Sequence, residues 1–289
     1  MIQKYLSLIK FSHTIFALPF AIVGYLSGIL YQNQGFDLMV FIKVVFCMVF
    51  ARNAAMAFNR FLDRDIDKLN PRTQAREIPA GIIHEKNVLI FVIINSLLFI
   101  ATSFSINTLC FILSPVALGI ILGYSYTKRF TFYCHFILGL GLALAPVGAF
   151  LAITGIFHYL PVLLGFSVLF WVAGFDIIYS LQDDNFDRNH NLQSIPAKLG
   201  RKGALLVSRI LHLSSIIIII LFTWYSSSLF TQLDYILYIG TAVFISMLVY
   251  QHSLVKENDL RRVGVAFFTF NGIASLTFGL LFTIDSLLL

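Results

Sequence analysis

Apolar stretches of roughly 17 to 25 residues recur along the chain, each long enough to cross ~30 Å of hydrocarbon as a helix. Short polar segments divide them. The pattern predicts nine membrane-spanning helices, near 12–31, 38–58, 88–106, 108–126, 132–154, 160–182, 208–228, 232–252 and 263–284. Only the polar turn "TSFSINT" at 102–108 separates the third span from the fourth. The longest polar stretches, 59–87 and 183–207, are too short for a soluble domain. Any chemistry must therefore use the helical bundle and its loops.

Composition supports this reading: 58% of the 289 residues are hydrophobic, 15% aromatic and 12% charged, against about a quarter charged in soluble domains. Mean hydropathy is +0.86. The opening "MIQKYLSLIKFSHTIFALPF" lacks a small-x-small cleavage pattern, so it reads as the approach to a first span rather than a secretory signal. Cys47, Cys110 and Cys134 lie in or beside apolar segments without CxxC spacing, which argues for packing and against a disulfide frame or zinc site.

Lysine and arginine fall in alternate loops. Lys4 and Lys10 precede the first span; Arg60, Arg64, Lys68, Arg72, Arg76 and Lys86 follow the second; Lys128 and Arg129 follow the fourth. Arg188, Lys198, Arg201, Lys202 and Arg209 follow the sixth, and Lys256, Arg261 and Arg262 the eighth, while "YQNQGFD", "TGIFHY" and "SSSLFTQLD" contain none. Lys43 lies toward the opposite side. The positive-inside rule then puts the N terminus in the cytoplasm, as expected for an integral protein of a bacterial inner membrane. The net charge of +6 follows from this bias, and no nucleic-acid stripe is apparent.

Acidic residues gather twice on that face, in "NRFLDRDID" (59–67) and "QDDNFD" (182–187). Asp63 and Asp183 are 120 residues apart, as are Asp67 and Asp187, with four crossings between their spans. Their helices run parallel. This echo suggests one membrane domain over 1–289, built from two related four-helix halves (about 12–126 and 132–252) plus a ninth helix.

If the second span continues helically, Asn59, Asp63 and Asp67 form one column at i, i+4 and i+8, while Asp176, Asp183 and Asp187 line the other helix, with Tyr179 four residues before Asp183. Facing carboxylates without a cation repel, so the pattern calls for a divalent metal, and oxygen ligands suit Mg²⁺. Magnesium commonly bridges carboxylates to substrate phosphates. Arg72, Arg76, Lys128 and Arg129 on the same face could hold further phosphate oxygens, describing a clamp for a lipid diphosphate whose tail stays among the helices.

The stretch "NRFLDRDIDKLNPRTQAREIPAG" resembles the NxxxDxxxD and RTxxRxxPxG pattern of the UbiA-type intramembrane prenyltransferases; "DIIYSLQDDNFD" is similar to their second acidic motif and "YSYTKR" to their YxxxKR loop. The resemblance implies an all-α bundle around a central cavity, magnesium, a polyprenyl diphosphate donor and an aromatic acceptor. It implies that Asp63, Asp67, Asp183 and Asp187 hold the metal and act in catalysis. Asn59, Arg72, Arg76, Lys128, Arg129 and Tyr124 would bind substrate, and Asp176 and Tyr179 would orient the acceptor or stabilise a carbocation-like state.

Gln182 before Asp183 resembles the quinone-pathway branch, favouring a 4-hydroxybenzoate-like acid in ubiquinone or menaquinone biosynthesis. "IKFSHTIFALPFA" and "ARNAAMAFNR" are equally similar to the dihydroxynaphthoate enzymes of the futalosine route. The "DRDID" string is shared with haem O synthases. An arginine at membrane depth needs a polar or anionic partner, and Arg52, seven residues before Asn59, is a candidate for the acceptor carboxylate. No protein partner is expected.

Blander readings apply elsewhere. Asp65 and Asp184 fall off the acidic stripes and are expected in solvent or behind the metal ligands. Arg64, Lys68, Lys198, Arg201, Lys202, Arg261 and Arg262 read as topology determinants or lipid contacts. The seven histidines form no HxxxH pair and are expected to be structural, with His13 a possible neighbour of the cavity. Gly139, Gly141, Pro146 and Gly148 read as close packing and a kink, and Pro115 and Pro161 as structural. A transporter with acids on opposed helices is the alternative of another class. It would place those acids nearer the midplane and needs no phosphate-suited bases.

Overall fold

The computed structural model describes residues 2–9 and 16–287. Lys10 and His13 lie outside them. The chain is helical, and among the described residues strand-like pairing is limited to one bridge between Lys256 and Asp259. Eight helices are long and apolar enough to cross a membrane, and a ninth apolar helix, α2 (Leu18–Gln32), is shorter within the described residues. A short α1 (Ile2–Leu8) precedes it. The others are α3 (Leu38–Leu62), α5 (Glu85–Ile106), α6 (Thr108–Thr127), α7 (Cys134–Thr154), α8 (Tyr159–Ser180), α10 (Ile195–Leu229), α11 (Tyr235–Leu254) and the C-terminal α13 (Asn271–Leu287). The short α12 (Val263–Val265) enters α13 through a π-helical turn, Ala266–Phe270. Two six-residue helices, α4 (Arg64–Leu69) and α9 (Asp184–Asn189), complete the chain.

Polar side chains cap these helices where a bare N–H would otherwise remain. The Asp37 carboxylate accepts from the backbone N–H groups of Met39 and Val40 to start α3. The expected break between the third and fourth spans falls at Asn107, whose backbone is extended and whose side chain caps α6 through Cys110 N–H at 2.8 Å. His84 and His158 cap α5 and α8 in the same way, a structural use of histidine. The seventh span begins earlier than apolarity suggests. Ser194 caps α10 through Ala197, and the helix continues across a kink at Gly200 (φ 70°), so 195–207 is helical rather than loop.

In lipid, helix association depends on close backbone approach. Gly24 of α2 lies against the Pro146 carbonyl of α7, where a Cβ would sit 2.1 Å from that oxygen, and Gly139 meets the Leu169 carbonyl of α8 in the same manner. Gly148, expected at a contact, instead faces open space. A buried aromatic cluster of Trp171, Phe20, Phe244, Phe278, Phe222 and Phe282 joins α8 to α2, α10, α11 and α13. By contrast, α2, α3, α5, α6 and α7 border a cavity of about 340 Å³, lined chiefly by apolar side chains.

Candidate active site

Both acidic motifs interrupt their helices in the same way. Helix α3 ends at Asp63 (φ −88°, ψ 5°) before α4, and a 3₁₀ turn after α8 ends at Asp183 (φ −108°, ψ 4°) before α9. These dihedrals fall in the bridge region. The short helices occupy 64–69 and 184–189, again offset by 120 residues. The expected column survives the bend, because Asp63 N–H reaches the Asn59 carbonyl and Asp67 N–H the Asp63 carbonyl. Asn59 Nδ2 donates to Asp63 Oδ2 at 3.0 Å.

Each of the four carboxylates meets one of the four predicted bases. Arg72 grips Asp183 with two prongs, Nε to Oδ1 at 2.8 Å and Nη2 to Oδ2. Arg76 Nη1 meets Asp67 at 2.6 and 2.8 Å. Lys128 Nζ lies 2.7 Å from Asp187 Oδ1, and Arg129 Nη1 lies 3.1 Å from Asp63 Oδ1. Because Lys128 and Arg129 are adjacent, the α6–α7 loop holds one acid from each motif. The two clusters therefore share one end of the bundle and one set of cations.

This differs from the sequence expectation that the carboxylates need a metal to coexist: basic side chains already neutralise them. Burial raises the Asp63 carboxyl above its ordinary value, with Asp67 adding to the effect and Arg129 opposing it. Burial disfavours charge on Lys128 and Arg72 as well. Asp187 nevertheless lifts the Lys128 ammonium above the usual lysine value, and Asp183 does the same for Arg72.

Neutral donors complete the site, and two of them were missed in the sequence. Asn70, the C-cap of α4, donates to Asp183 Oδ1 at 3.1 Å while accepting from Arg72 N–H. Ser194 donates to Asp187 Oδ2 at 3.0 Å. A serine before "IP" at a helix start was a legible cap signal, but its carboxylate partner was not. Tyr179 accepts from Arg72 at 3.2 Å, beneath the guanidinium. Asp176 stands apart from the bases, bound to His135 Nδ1 at 2.7 Å.

Asp65 is exposed as expected, whereas Asp184 is buried, gripped by Arg201 at 2.8 and 3.1 Å and approached by Arg188. Arg201 thus pins α9 to α10 rather than only marking topology. Likewise Arg64 pairs with Glu85 at 2.7 Å, and Lys198 lies over the Phe132 ring. Arg52 of α3 and Tyr124 of α6 line the cavity, together with Ser103 and Ser114. Tyr124 also lies within electrostatic reach of Asp63 and Asp176, so the hollow adjoins the acidic end.

Among the described residues no three His, Cys, Asp or Glu side chains are already gathered as a metal site. The donor set nevertheless fits a hard cation: Asp63 Oδ1 and Asp187 Oδ1 each face an ammonium or guanidinium, and carboxylate oxygens are the ligands magnesium prefers.

The acidic and basic cluster stands at one end of a bundle of apolar helices that encloses a hollow. A family model described as UbiA prenyltransferase family matches residues 17–273, and the chain belongs to that family. It is a prenyltransferase. Curated relatives include the 4-hydroxybenzoate octaprenyltransferases of Vesicomyosocius okutanii subsp. Calyptogena okutanii (strain HA), 28% identical over 231 residues (78% of this chain, 81% of that one), and Aliivibrio fischeri (strain MJ11), 29% identical over 245 residues (84% and 82%). The apo structure of a UbiA homolog from Aeropyrum pernix K1 is 31% identical with a TM-score of 0.79, covering 94% of this chain and 96% of that one. A UbiA homolog from Archaeoglobus fulgidus bound to DMAPP and Mg²⁺ shares the fold at 20% identity and TM-score 0.76, covering 99% and 100%.

Proposed function

We propose that this protein transfers a polyprenyl group from a polyprenyl diphosphate to the ring of a 4-hydroxybenzoate-like acid, in the biosynthesis of a membrane quinone. The observation that carries this reading is the set of four carboxylates and four bases at the end of an apolar hollow. The relatives named for 4-hydroxybenzoate support the acceptor.

The diphosphate head takes the acidic end, where Arg72, Lys128 and Arg129 present charged donors to its oxygens, and the tail occupies the cavity. Asp63, Asp67, Asp183 and Asp187 would hold magnesium, which when bound would supply positive charge to stabilise the leaving diphosphate. The allylic C–O bond breaks with its electron pair leaving on the diphosphate; the ring carbon forms the new C–C bond and the ring then loses a proton. Arg52 and Tyr124 hold the acceptor at the cavity wall. Asp176, fixed by His135, and Tyr179, fixed by Arg72, border the acidic end as orienting groups. The active site faces the cytoplasm, following the basic loops.

Membranes containing the protein, given Mg²⁺, geranyl diphosphate and either 4-hydroxybenzoate or dihydroxynaphthoate, test this by product mass. A prenylated hydroxybenzoate is expected; prenylation of the naphthoate alone would reassign the acceptor, and no prenylated product with either would overturn the reading.

A further inference from the structure

Three of the four carboxylates at this site, Asp63, Asp183 and Asp187, are each held in two different ways. Asp63 receives Asn59 on Oδ2 and Arg129 on Oδ1. Asp187 receives Ser194 on Oδ2 and Lys128 on Oδ1. Asp183 receives Asn70 together with both prongs of Arg72. One partner is neutral and built into a helix end; the other is a long, partly exposed cation at a loop. The neutral partners are constrained: Ser194 also caps α10, and Asn70 also accepts from the Arg72 backbone. The cations keep 31 to 35% of their side-chain surface, whereas Asp187 keeps none and Asp183 11%.

A carboxylate oxygen occupied by an ammonium or guanidinium is closed to a metal ion, and a base occupied by a carboxylate is closed to phosphate. Each ligand alone must therefore break ion pairs and leave a partly buried charge uncompensated, which is costly. Together they exchange partners without leaving any charge bare.

We propose that metal and diphosphate enter by such an exchange: the diphosphate draws Arg72, Lys128 and Arg129 off Asp183, Asp187 and Asp63, while Asn70, Ser194 and Asn59 keep the freed carboxylates aimed at the metal. Asn70 and Ser194 are thereby positioning residues. This inference rests on the diphosphate reading above and adds the order and coupling of binding.

The test uses purified full-length protein in detergent, first with each probe alone, Mn²⁺ without pyrophosphate and inorganic pyrophosphate with a chelator, and then with both together, free concentrations being corrected for their association in solution. Lys128→Gln opens Asp187 and is expected to tighten Mn²⁺ alone by about tenfold, the size of an ordinary pair coupling, while weakening pyrophosphate. Asp187→Asn opens Lys128 and is expected to do the reverse. A misfolded variant cannot tighten one ligand while loosening the other. Lys68→Gln removes the same charge from an exposed position on the same face and controls for long-range effects; its changes should stay within about threefold. Ser194→Ala should weaken Mn²⁺ in the presence of pyrophosphate yet leave pyrophosphate alone unchanged, with recovery in Ser194→Thr. Mn²⁺ affinity in Lys128→Gln no tighter than in Lys68→Gln would overturn the exchange while leaving the site intact. Failure of the wild type to bind both probes even together would instead overturn the diphosphate site itself.

Discussion

The helices on the two sides of this bundle are packed to different purposes. In α3, α5 and α6 only 11 to 22% of the apolar span is buried, against 33 to 61% in the spans that start at Tyr159, Ile195, Tyr235 and Val263. The first set surrounds a hollow; the second, with α2, closes on Trp171 and its ring of phenylalanines. Both end in the same acidic bend, yet among the described residues the hollow lies beside the first set. The difference is one of support: the acids of the second motif stand beside a packed core and are held by bases from distant loops, Arg72 and Lys128, while the hollow is walled by α2, α3, α5, α6 and α7.

The largest expected effect is chemical and symmetric. Asp63→Ala and Asp183→Ala should each lower kcat by roughly 10³-fold or more, because charge stabilisation in the transition state is lost, while membrane insertion is retained. Full turnover in either purified variant would break the equivalence of the two bends. Next is Arg52→Ala, which should raise the KM for the acceptor about tenfold, the worth of a charged hydrogen bond, and leave the donor KM nearly unchanged. Equal changes in both constants would remove Arg52 from the acceptor side.

Two glycines probe the packing contrast directly. A methyl at Gly174 meets the His212 ring at 2.3 Å, so Gly174→Ala should destabilise the protein by about 1–3 kcal/mol through overpacking. Gly148 lines the hollow with nothing within 4 Å of its added Cβ, and there alanine should be neutral or stabilising by up to about 1 kcal/mol. Thermal midpoints in one detergent compare them, and equal losses would erase the distinction. The smallest effect is the pH dependence of Asp63. Its folded carboxyl titrates above the ordinary value, so its stabilising contribution is complete below the unfolded value and is lost as pH rises through the folded one. Asp63→Asn should accordingly gain thermal stability relative to wild type as pH rises over that interval, a trend whose reversal would show that Arg129 dominates.

Much of this was legible because lipid imposes simple rules. Span lengths, the Asn107 break and the two acid motifs follow from apolar runs and spacing. The pairing of bases was less so, since Arg72 reaches Asp183 across 111 residues and no local pattern encodes that choice. For Asp184 the sequence left two places open, in solvent or behind the metal ligands; the structure excludes solvent, because it lies inward toward Arg201 once the helix bends. Apolarity also hid the start of α10, because its first turns carry Lys198, Arg201 and Lys202. The hollow itself could not be read from composition, because Ala, Gly and Met line it as readily as they fill a core.

Arg129 does one more thing than pair with Asp63: its Nη2 donates to the Leu62 carbonyl at 2.9 Å, at the last residue of α3. A guanidinium that leaves for another anion therefore abandons a helix terminus as well as an acid. Under the exchange proposed above, occupancy would reach the main chain at the bend, where amide-proton exchange would sense it without any label on the ligand.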